Sequence, residues 1–157
     1  MEGADFGLNH VEIIPMRPTD IRGVMDIDAR SFACNWTSDA FHTELNNRAA
    51  AYIVAKLDTT VIGYAGMWVV SEEAHITTLA VMPEFRGKHI GERLLVACIT
   101  EAKHRKAKRL NLEVRVSNII ARRLYAKHSF LEIGERQRYY TDNGENALIL
   151  SLNLWIN

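Results

Sequence analysis

Two hydrophobic periods alternate along this chain, and their order predicts its architecture. Apolar residues at every second position predict strands, and apolar steps of three and four predict amphipathic helices. Strands are predicted at residues 10–14, 51–56, 61–70, 74–81, 109–115, 130–140 and 147–154. Helices are predicted from Pro18, from Thr37 or Ser38, at residues 90–107 and from Asn118 to about residue 127. The order βααβββαβαββ favours an α/β sandwich with a mixed, mostly antiparallel seven-stranded sheet.

Size and composition favour one soluble domain over residues 1–157. Hydrophobic residues make up 48% of the chain and charged residues 24%, which is ordinary for a globular protein. With 19 basic and 19 acidic residues, the formal net charge is zero. No long-range field therefore favours nucleic acid or an anionic membrane, and neither is expected as a partner.

Neither a signal peptide nor a membrane span is expected from the sequence. The acidic N-terminus leads into no apolar segment of a signal peptide, and no apolar run approaches the ~20 residues of a membrane span. The two cysteines, Cys34 and Cys98, form neither a metal site nor a disulfide framework by themselves. A cytoplasmic location and a metal-free site are expected.

Residues 79–95 predict a strand, a basic glycine-bearing loop and the start of a helix. Glycines allow close approach of a ligand to the backbone, and free N–H groups at a helix start attract an anion. The spacing from Arg86 to Gly91 does not fit the nucleotide P-loop, which needs Gly-Lys-Ser/Thr after its second glycine. The segment predicts either a phosphate cradle or a surface loop with incidental Arg, Gly and Lys.

This loop resembles the pyrophosphate loop of the GNAT family of acetyl-CoA-dependent N-acetyltransferases, Gln/Arg-x-x-Gly-x-Gly/Ala. The six places are filled by Arg86, Gly87, Lys88, His89, Ile90 and Gly91, so that His89 replaces the first family glycine. The resemblance implies the GNAT fold, acetyl-CoA as cosubstrate, and pyrophosphate binding by these six residues. It also implies that pantetheine lies between residues 76–81 and 109–115. There it would pair with backbone groups of Leu79, Ala80 and Val81.

A second segment indicates which branch of this family the chain resembles. Residues 112–118, Leu-Glu-Val-Arg-Val-Ser-Asn, and residues 121–130, ending Leu-Tyr-Ala-Lys-His-Ser-Phe, resemble the ribosomal-protein-alanine N-acetyltransferases, the RimI branch. Ser129 stands where that branch has glycine, and we expect this change to alter a helix-ending turn and not the chemistry. The implied acceptor is the N-terminal α-amine of a protein, in that branch a ribosomal protein beginning with alanine.

Acetylation of an amine requires a neutral amine, a polarised thioester and a proton for the departing thiolate. An α-amine has a pKa of about 8, so a weak or water-relayed base suffices. By resemblance, Glu113 is the base, acting through water, and Tyr125 is the acid and contacts the cofactor. From the residues alone, Glu113 could instead pair with Arg115 or be solvated, and Tyr125 could pack on the sheet. Asn118 caps a helix, binds pantetheine, or does both.

Residues near the peptide side also match the branch. In residues 32–41, Trp36 is either a groove aromatic or a core plug. Glu73 either attracts an N-terminal ammonium or is a solvated strand-end acid, and His75 is either a proton relay or a structural histidine. Tyr139 and Tyr140 either line the groove opposite Trp36 or pack on opposite sheet faces.

Other functions compete with this one. The basic run at residues 103–109 suits either RNA binding or solvated cations at a helix C-terminus, and the absence of interleaved aromatics favours the latter. The acceptor could be a small amine such as a polyamine or aminoglycoside. The chain could also be an acyl-CoA sensor without catalysis. The main hypothesis is direct attack within a ternary complex, in which Cys34 and Cys98 take no covalent part.

Overall fold

The structure, a computed structural model, describes residues 10–32 and 35–155; Cys34 lies outside the described residues. The described residues form seven strands: β1 Val11–Pro15, β2 Ala50–Leu57, β3 Thr60–Val70, β4 Glu73–Val81, β5 Arg109–Arg115, β6 Leu131–Tyr140 and β7 Glu145–Asn153. They also form four α-helices: α1 Ile21–Ser31, α2 Ser38–Leu45, α3 Ile90–His104 and α4 Ile119–Lys127. Short 3₁₀ turns lie at Pro18–Asp20 and Pro83–Phe85. The predicted order of elements is confirmed.

One sheet contains all seven strands, in the spatial order β1-β2-β3-β4-β5-β7-β6. Only β4 and β5 pair in parallel, and every other neighbouring pair is antiparallel. The parallel pair is joined through α3, as a parallel crossover requires. The predicted mixed, mostly antiparallel sheet is therefore confirmed.

The helices cover the two faces of the sheet and divide the core in two. Apolar side chains of α3, together with Tyr125 of α4, pack in one cluster with Leu110 and Leu112 of β5. On the other face, α1 and α2 pack in a second cluster that contains Phe41, Tyr52 and Tyr64. Within the described ranges, no helix combines the length and the apolarity that crossing a bilayer needs.

An irregularity in β4 opens the sheet at its centre. Gly66 of β3 pairs with Thr78, but its neighbour Met67 pairs with Ile76, so that Thr77 is an extra residue in β4. Such a bulge bends its strand and increases its twist. On its other edge, β4 pairs with β5 only from Glu73 to His75. The two parallel strands therefore part at the bulge, and the expected gap between residues 76–81 and β5 is present.

The predicted helix 90–107 is too long, because α3 ends at His104. Lys106 adopts a left-handed conformation with φ 65°. Its N–H bonds to the carbonyl of Lys103, and the N–H of Ala107 bonds to that of Ala102. These two bonds complete a left-handed helix-ending motif, in which a residue other than glycine takes the glycine position. Apolar periodicity alone does not reveal such an end.

We predict that Gly66→Ala destabilises the fold. A Cβ at this position would lie 2.5 Å from Cε1 of Tyr52, and that ring packs edge-on against Phe41. Overpacking of this kind lowers the free energy of unfolding by about 1–3 kcal/mol, which urea denaturation measures. Gly134→Ala is the control, because its Cβ would be 3.4 Å from Ile149 Cδ1. Equal stability of the two variants would contradict the prediction.

Candidate active site

In the basic loop between β4 and α3, two residues separated by one position adopt the left-handed backbone conformation. Gly87 has φ 74° and His89 has φ 64°. His89 is the N-cap residue of α3, and its side chain makes no capping hydrogen bond. The first N–H groups of a helix have no partner within the helix. Without a capping side chain, those of α3 are available to an anion, as a phosphate cradle requires.

Arg86 is directed towards the end of β4. Its Nε donates a hydrogen bond of 3.1 Å to the carbonyl oxygen of Val81. This carbonyl belongs to the backbone that we expected to be open for pantetheine. Pairing of a ligand with that oxygen would therefore displace or share the Arg86 contact. Leu79 and Ala80 lie on the same segment, beyond the last β4–β5 pair.

We predict that His89→Gly stabilises the protein. A left-handed residue with a side chain costs about 1–2 kcal/mol, whereas glycine loses about 0.4–1 kcal/mol more chain entropy on folding. The free energy of unfolding should therefore rise by about 0.5–1 kcal/mol. Thermal or urea denaturation measures it.

Gly87→Ala is the converse control for His89→Gly. No atom lies within 4 Å of a Cβ built at Gly87, but its φ of 74° is strained for alanine. Its stability should fall by about 1 kcal/mol for backbone reasons alone. A loss of stability in His89→Gly would show that the imidazole contributes more than its backbone strain removes.

Glu113 of β5 makes a short polar contact with His75 of β4. Oε2 of Glu113 lies 2.6 Å from Nε2 of His75, and Oε1 lies 3.5 Å from Nε of Arg136. The Glu113 side chain is 10% exposed. Glu113 does not pair with Arg115, which binds Asp142 and Glu145 at the β6–β7 turn. The two candidate residues Glu113 and His75 are therefore brought together where β4 and β5 part.

Opposing effects set the pKa of Glu113. Burial is the largest effect and raises the pKa, but the hydrogen bond and charge of His75 and the charge of Arg136 together outweigh it. The pKa therefore lies below the ordinary range of a glutamate. The carboxylate is ionised at neutral pH and is a weak base on its own.

The hydrogen bonds that end α4 fix the position of Tyr125. The N–H of Ser129 bonds to the carbonyl of Ala126 and that of Phe130 bonds to the carbonyl of Tyr125, while Ser129 has φ 72°. This is the motif that commonly ends helices at glycine. The expectation that serine alters the turn is wrong, because Ser129 adopts the left-handed conformation that glycine usually has in this motif.

The same motif packs the Tyr125 ring edge-on against Phe130, with 5.6 Å between centroids. Burial raises the pKa of Tyr125 to about 12, with smaller contributions from Cys98 and Tyr140. The phenol therefore keeps its proton at any physiological pH. Its hydroxyl has no hydrogen-bond partner among residues 10–32 and 35–155.

Tyr140 lies within electrostatic range of both candidate catalytic residues. It slightly raises the pKa of Tyr125, and Glu113 slightly raises the pKa of Tyr140. Its ring lies under the Arg115 guanidinium at 3.9 Å, and burial raises its pKa to about 12. Tyr139 packs edge-on against it, with 5.0 Å between centroids, because the register of β6 shifts between Arg136 and Tyr140. The alternative of one ring on each face does not describe this contact.

Asn118 caps α4, since its Oδ1 accepts a hydrogen bond from the N–H of Ala121 at 3.1 Å. Trp36 packs on the core and is also partly exposed. Its ring packs 5.4 Å from that of Phe41, yet the residue is 43% exposed. Its backbone N–H donates to buried Asp28, which also accepts from Tyr64. The loop before α2 is thereby tied to the sheet.

Glu73 is a strand-end acid whose side chain is 41% exposed and already has partners. Its carboxylate lies 3.0 Å from Arg109 Nε and accepts a 3.0 Å hydrogen bond from Asn111. These residues line one end of an open groove of about 300 Å³, whose apolar wall is Leu131 and Ile133 of β6. The other amide atom of Asn111, Oδ1, is buried and has no partner in the described chain. An incoming ammonium would compete with Arg109 for Glu73.

Sequence reasoning missed two residues next to Glu113 and His75. Trp68 of β3 pairs in register with His75, and the two rings stack at 5.4 Å with 11° between their planes. Counting back from the β3–β4 turn could have found this neighbour. Arg136 could not be found in that way, because β6 carries two register shifts.

Several cations of the basic run are neutralised within the fold. Arg105 pairs with Glu101, Lys108 with Glu72 and Arg109 with Glu73. This arrangement agrees with the interpretation of the run as ordinary surface cations. In the part of the chain that the structure describes, no three His, Cys, Asp or Glu side chains come together as metal ligands would.

Comparison with known proteins identifies relatives of this arrangement. The acetyltransferase (GNAT) family model matches residues 21–130. A Bacillus subtilis (strain 168) protein, named as a candidate ribosomal protein bS18-alanine N-acetyltransferase, is 46% identical over 136 residues, which are 86% of this chain and 90% of that protein. The ribosomal protein bS18-alanine N-acetyltransferase of Escherichia coli K12 is 32% identical over 144 residues, 89% of this chain and 95% of that one.

The fold has a close counterpart among crystal structures. The ribosomal-protein-S18-alanine N-acetyltransferase from Escherichia coli superimposes with a TM-score of 0.84 at 29% sequence identity. The superposition covers 94% of this chain and 96% of that one. The likeness therefore extends over nearly the whole described chain.

Proposed function

Because the chain belongs to the acetyltransferase (GNAT) family, we propose that it transfers the acetyl group of acetyl-CoA to the N-terminal α-amine of a protein. The acceptor class comes from its relatives, which are named for the alanine of ribosomal protein bS18. A ribosomal protein that begins with alanine is accordingly the first candidate.

The observation that carries the proposal is the position of Glu113. It lies where β4 and β5 part, 2.6 Å from His75, and beside the strand that leads into the basic loop. A proton-accepting group is therefore next to the opening that would receive an extended ligand arm. A sensor that only bound acyl-CoA would need no such pair of titratable groups there.

The residues around the opening fit acetyl-CoA. The uncapped start of α3 and the left-handed residues Gly87 and His89 suit a pyrophosphate. Arg86 and Lys88 add positive charge beside it. The backbone of Leu79, Ala80 and Val81, which has no strand partner on its β5 side, suits the amides of pantetheine. We assign Asn118, the N-cap residue of α4, to the same pantetheine arm. When bound, acetyl-CoA supplies an activated acyl group.

The proposed reaction is direct attack by the amine within a ternary complex. Glu113 takes up the ammonium proton through a water molecule, as suits a largely buried carboxylate. The C–N bond forms, the C–S bond breaks, and the second amine proton ends on the departing sulfur, for which Tyr125 provides the hydrogen-bond donor. An acyl intermediate on Cys98 is disfavoured, because Cys98 is buried and burial raises its pKa to about 12.

The peptide side of the site is assigned to aromatic and charged residues. Trp36, Tyr139 and Tyr140 would contact the first residues of the acceptor, and Glu73 would attract its positive charge. The half-exposed rings of Trp36 and Tyr139 support this assignment. Glu73 can take part only by exchanging its Arg109 contact.

A panel of acceptors tests the proposal. CoA-thiol release is measured with peptides that begin with Ala, Ser, Met or Gly, with an internal-lysine peptide whose N-terminus is blocked, and with a polyamine mixture. Turnover on one or two free N-termini alone is the expected result. Turnover only on lysine or polyamine would overturn the acceptor class and leave acetyl transfer standing. Acetyl-CoA binding without any turnover would favour a sensor.

A further inference from the structure

Two contacts hold the side chain of His75, the histidine beside Glu113. Its ring stacks on Trp68 with 11° between planes, and its Nε2 lies 2.6 Å from Glu113. These two contacts fix both the plane and the direction of the imidazole. The other ring nitrogen, Nδ1, has no hydrogen-bond partner within the described residues. The side chain is 21% exposed, so that this nitrogen can meet a substrate at the opening.

We propose that His75 is the catalytic residue that accepts the proton of the acceptor amine, and that Glu113 is its positioning residue. This inference rests on the proposed function and deepens it, because it replaces the water between Glu113 and the amine by the His75 imidazole. His75 Nδ1 takes one proton from the α-ammonium, and the Nε2–H donates to Glu113. The neutral amine then attacks, its second proton ends on the departing sulfur as the C–S bond breaks, and His75 returns its own proton to water after the amide has formed.

The basicities of the two groups favour this division. An α-ammonium has a pKa of about 8 and an ordinary glutamate about 4.3, so direct transfer between them is unfavourable by nearly four powers of ten. Glu113 is weaker still as a base, because His75 and Arg136 lower its pKa despite burial. An imidazole is intrinsically a stronger base than a carboxylate, so transfer of the proton to an imidazole is less unfavourable. The ionised carboxylate then stabilises the imidazolium.

Other charged groups face this pair and enter its titration. They are Arg109 of β5, Arg136 and Tyr140 of β6, and Glu73 of β4 itself. Arg109 and Glu73 pair with one another. β3 presents Trp68, and β7 presents Ile149 and Ser151 opposite β5; none of these titrates in the relevant range. Glu113 is therefore the anion in direct contact with His75.

The pH dependence of acetyl transfer distinguishes the two possible bases. Pre-steady-state rates are measured with the full chain, saturating acetyl-CoA and an Ala-initial peptide, from about pH 5 to pH 9, so that product release does not mask the chemical step. In the wild type the rate should rise through an inflection below the pKa of about 8 of a free α-amine. His75→Gln should lower the plateau at least about tenfold and leave only an inflection near pH 8, from the substrate amine itself. Glu113→Gln should keep the inflection below pH 8, because the imidazole that accepts the proton remains.

A profile set by Glu113 would overturn the inference. If Glu113 accepts the proton directly, the wild type shows no inflection below pH 8, because Glu113 is ionised throughout this range. In that case His75→Gln keeps the shape of the wild-type profile, and Glu113→Gln leaves only the inflection of the substrate amine near pH 8. Should His75→Gln fail to fold, the Glu113→Gln profile decides alone: a retained inflection below pH 8 supports the proposal, and an inflection only near pH 8 contradicts it. His128→Gln is the matched control, because His128 also pairs with a glutamate, Glu92, at 3.2 Å, and its profile should match the wild type. A wild type that binds acetyl-CoA but leaves every peptide unmodified would instead defeat the proposed function.

Discussion

Replacement of Glu113 by glutamine is expected to lower the rate of acetyl transfer by about 10²–10⁴-fold, the range typical of acid–base groups. Glutamine has nearly the same shape and can still accept a hydrogen bond from His75, which lies 2.6 Å away in the wild type. It has no negative charge with which to stabilise an imidazolium or take up a proton. The affinity for acetyl-CoA should change little, because the proposed cofactor contacts lie on the basic loop and β4. Stopped-flow rates and calorimetric binding measure the two quantities.

Glu132→Gln is the matched control for Glu113→Gln. Glu132 lies on β6, and its carboxylate is exposed and 3.5 Å from Arg122. Loss of one exposed pair affects stability by less than about 1 kcal/mol and should leave the transfer rate near that of the wild type. A Glu113→Gln enzyme within about threefold of the wild type would exclude Glu113 from the chemistry.

Tyr125→Phe should lower the rate by about 10²-fold or more and leave folding almost unchanged. The ring would keep its packing on Phe130, and the hydroxyl that is removed has no partner among the described residues. With a pKa of about 12, Tyr125 stays protonated throughout the assay range. No loss of activity at mildly alkaline pH should therefore arise from this residue.

The same pKa defines what Tyr125 can do. A thiol has an ordinary pKa of about 8.5, so complete proton transfer from Tyr125 to a thiolate would be uphill by about 5 kcal/mol in the unliganded site. Donation of a hydrogen bond to the sulfur as charge develops avoids that cost. We therefore expect Tyr125 to donate a hydrogen bond to the departing sulfur. It transfers its proton completely only if substrate binding has changed the site.

Tyr64→Phe is the contrasting variant for Tyr125→Phe. The Tyr64 hydroxyl is buried and donates to Asp28 at 2.8 Å, so its removal leaves a buried carboxylate oxygen without that donor. The expected result is a loss of about 1–3 kcal/mol in the free energy of unfolding. Equal effects of the two variants on stability would show that the Tyr125 hydroxyl has a structural role, against the proposal.

The succession of helices and strands was predictable because each element buries one face. β5 illustrates this: Leu110, Leu112 and Val114 point into the core, while Glu113 points to the other face. Alternation in the sequence therefore already placed Glu113 away from the α3 core. The position of the opening between β4 and β5 was harder to predict, because it depends on the single extra residue Thr77 in β4. A bulge of this kind leaves the hydrophobic pattern nearly intact.

The two replaced glycines show how far a motif departure can be interpreted. His89 and Ser129 both adopt left-handed backbone conformations, with φ of 64° and 72°. The turn is set by hydrogen bonds and packing around it, so the side chain changes its energy and not its shape. From sequence, only the cost of such a replacement could be foreseen.

The partners of Glu113 were beyond prediction, because they depend on register across several strands. His75 and Glu113 meet since His75 pairs with Asn111, two residues before Glu113 on the same face. Arg136 reaches Glu113 from a β6 strand with two register shifts. Sequence reasoning therefore proposed Glu113 and His75 separately and did not predict their contact.

Locating the transferred acetyl group on one peptide tests the proposed function most directly. The peptide begins with alanine, has an unblocked N-terminus and contains one internal lysine, and fragment-ion mass spectrometry after incubation with enzyme and acetyl-CoA assigns the modified nitrogen. We expect acetyl on the alanine α-nitrogen alone, with none when Glu113→Gln replaces the wild type for the same time. Acetyl on the lysine side chain, or on neither nitrogen while a polyamine is acetylated, would contradict an N-terminal protein acetyltransferase.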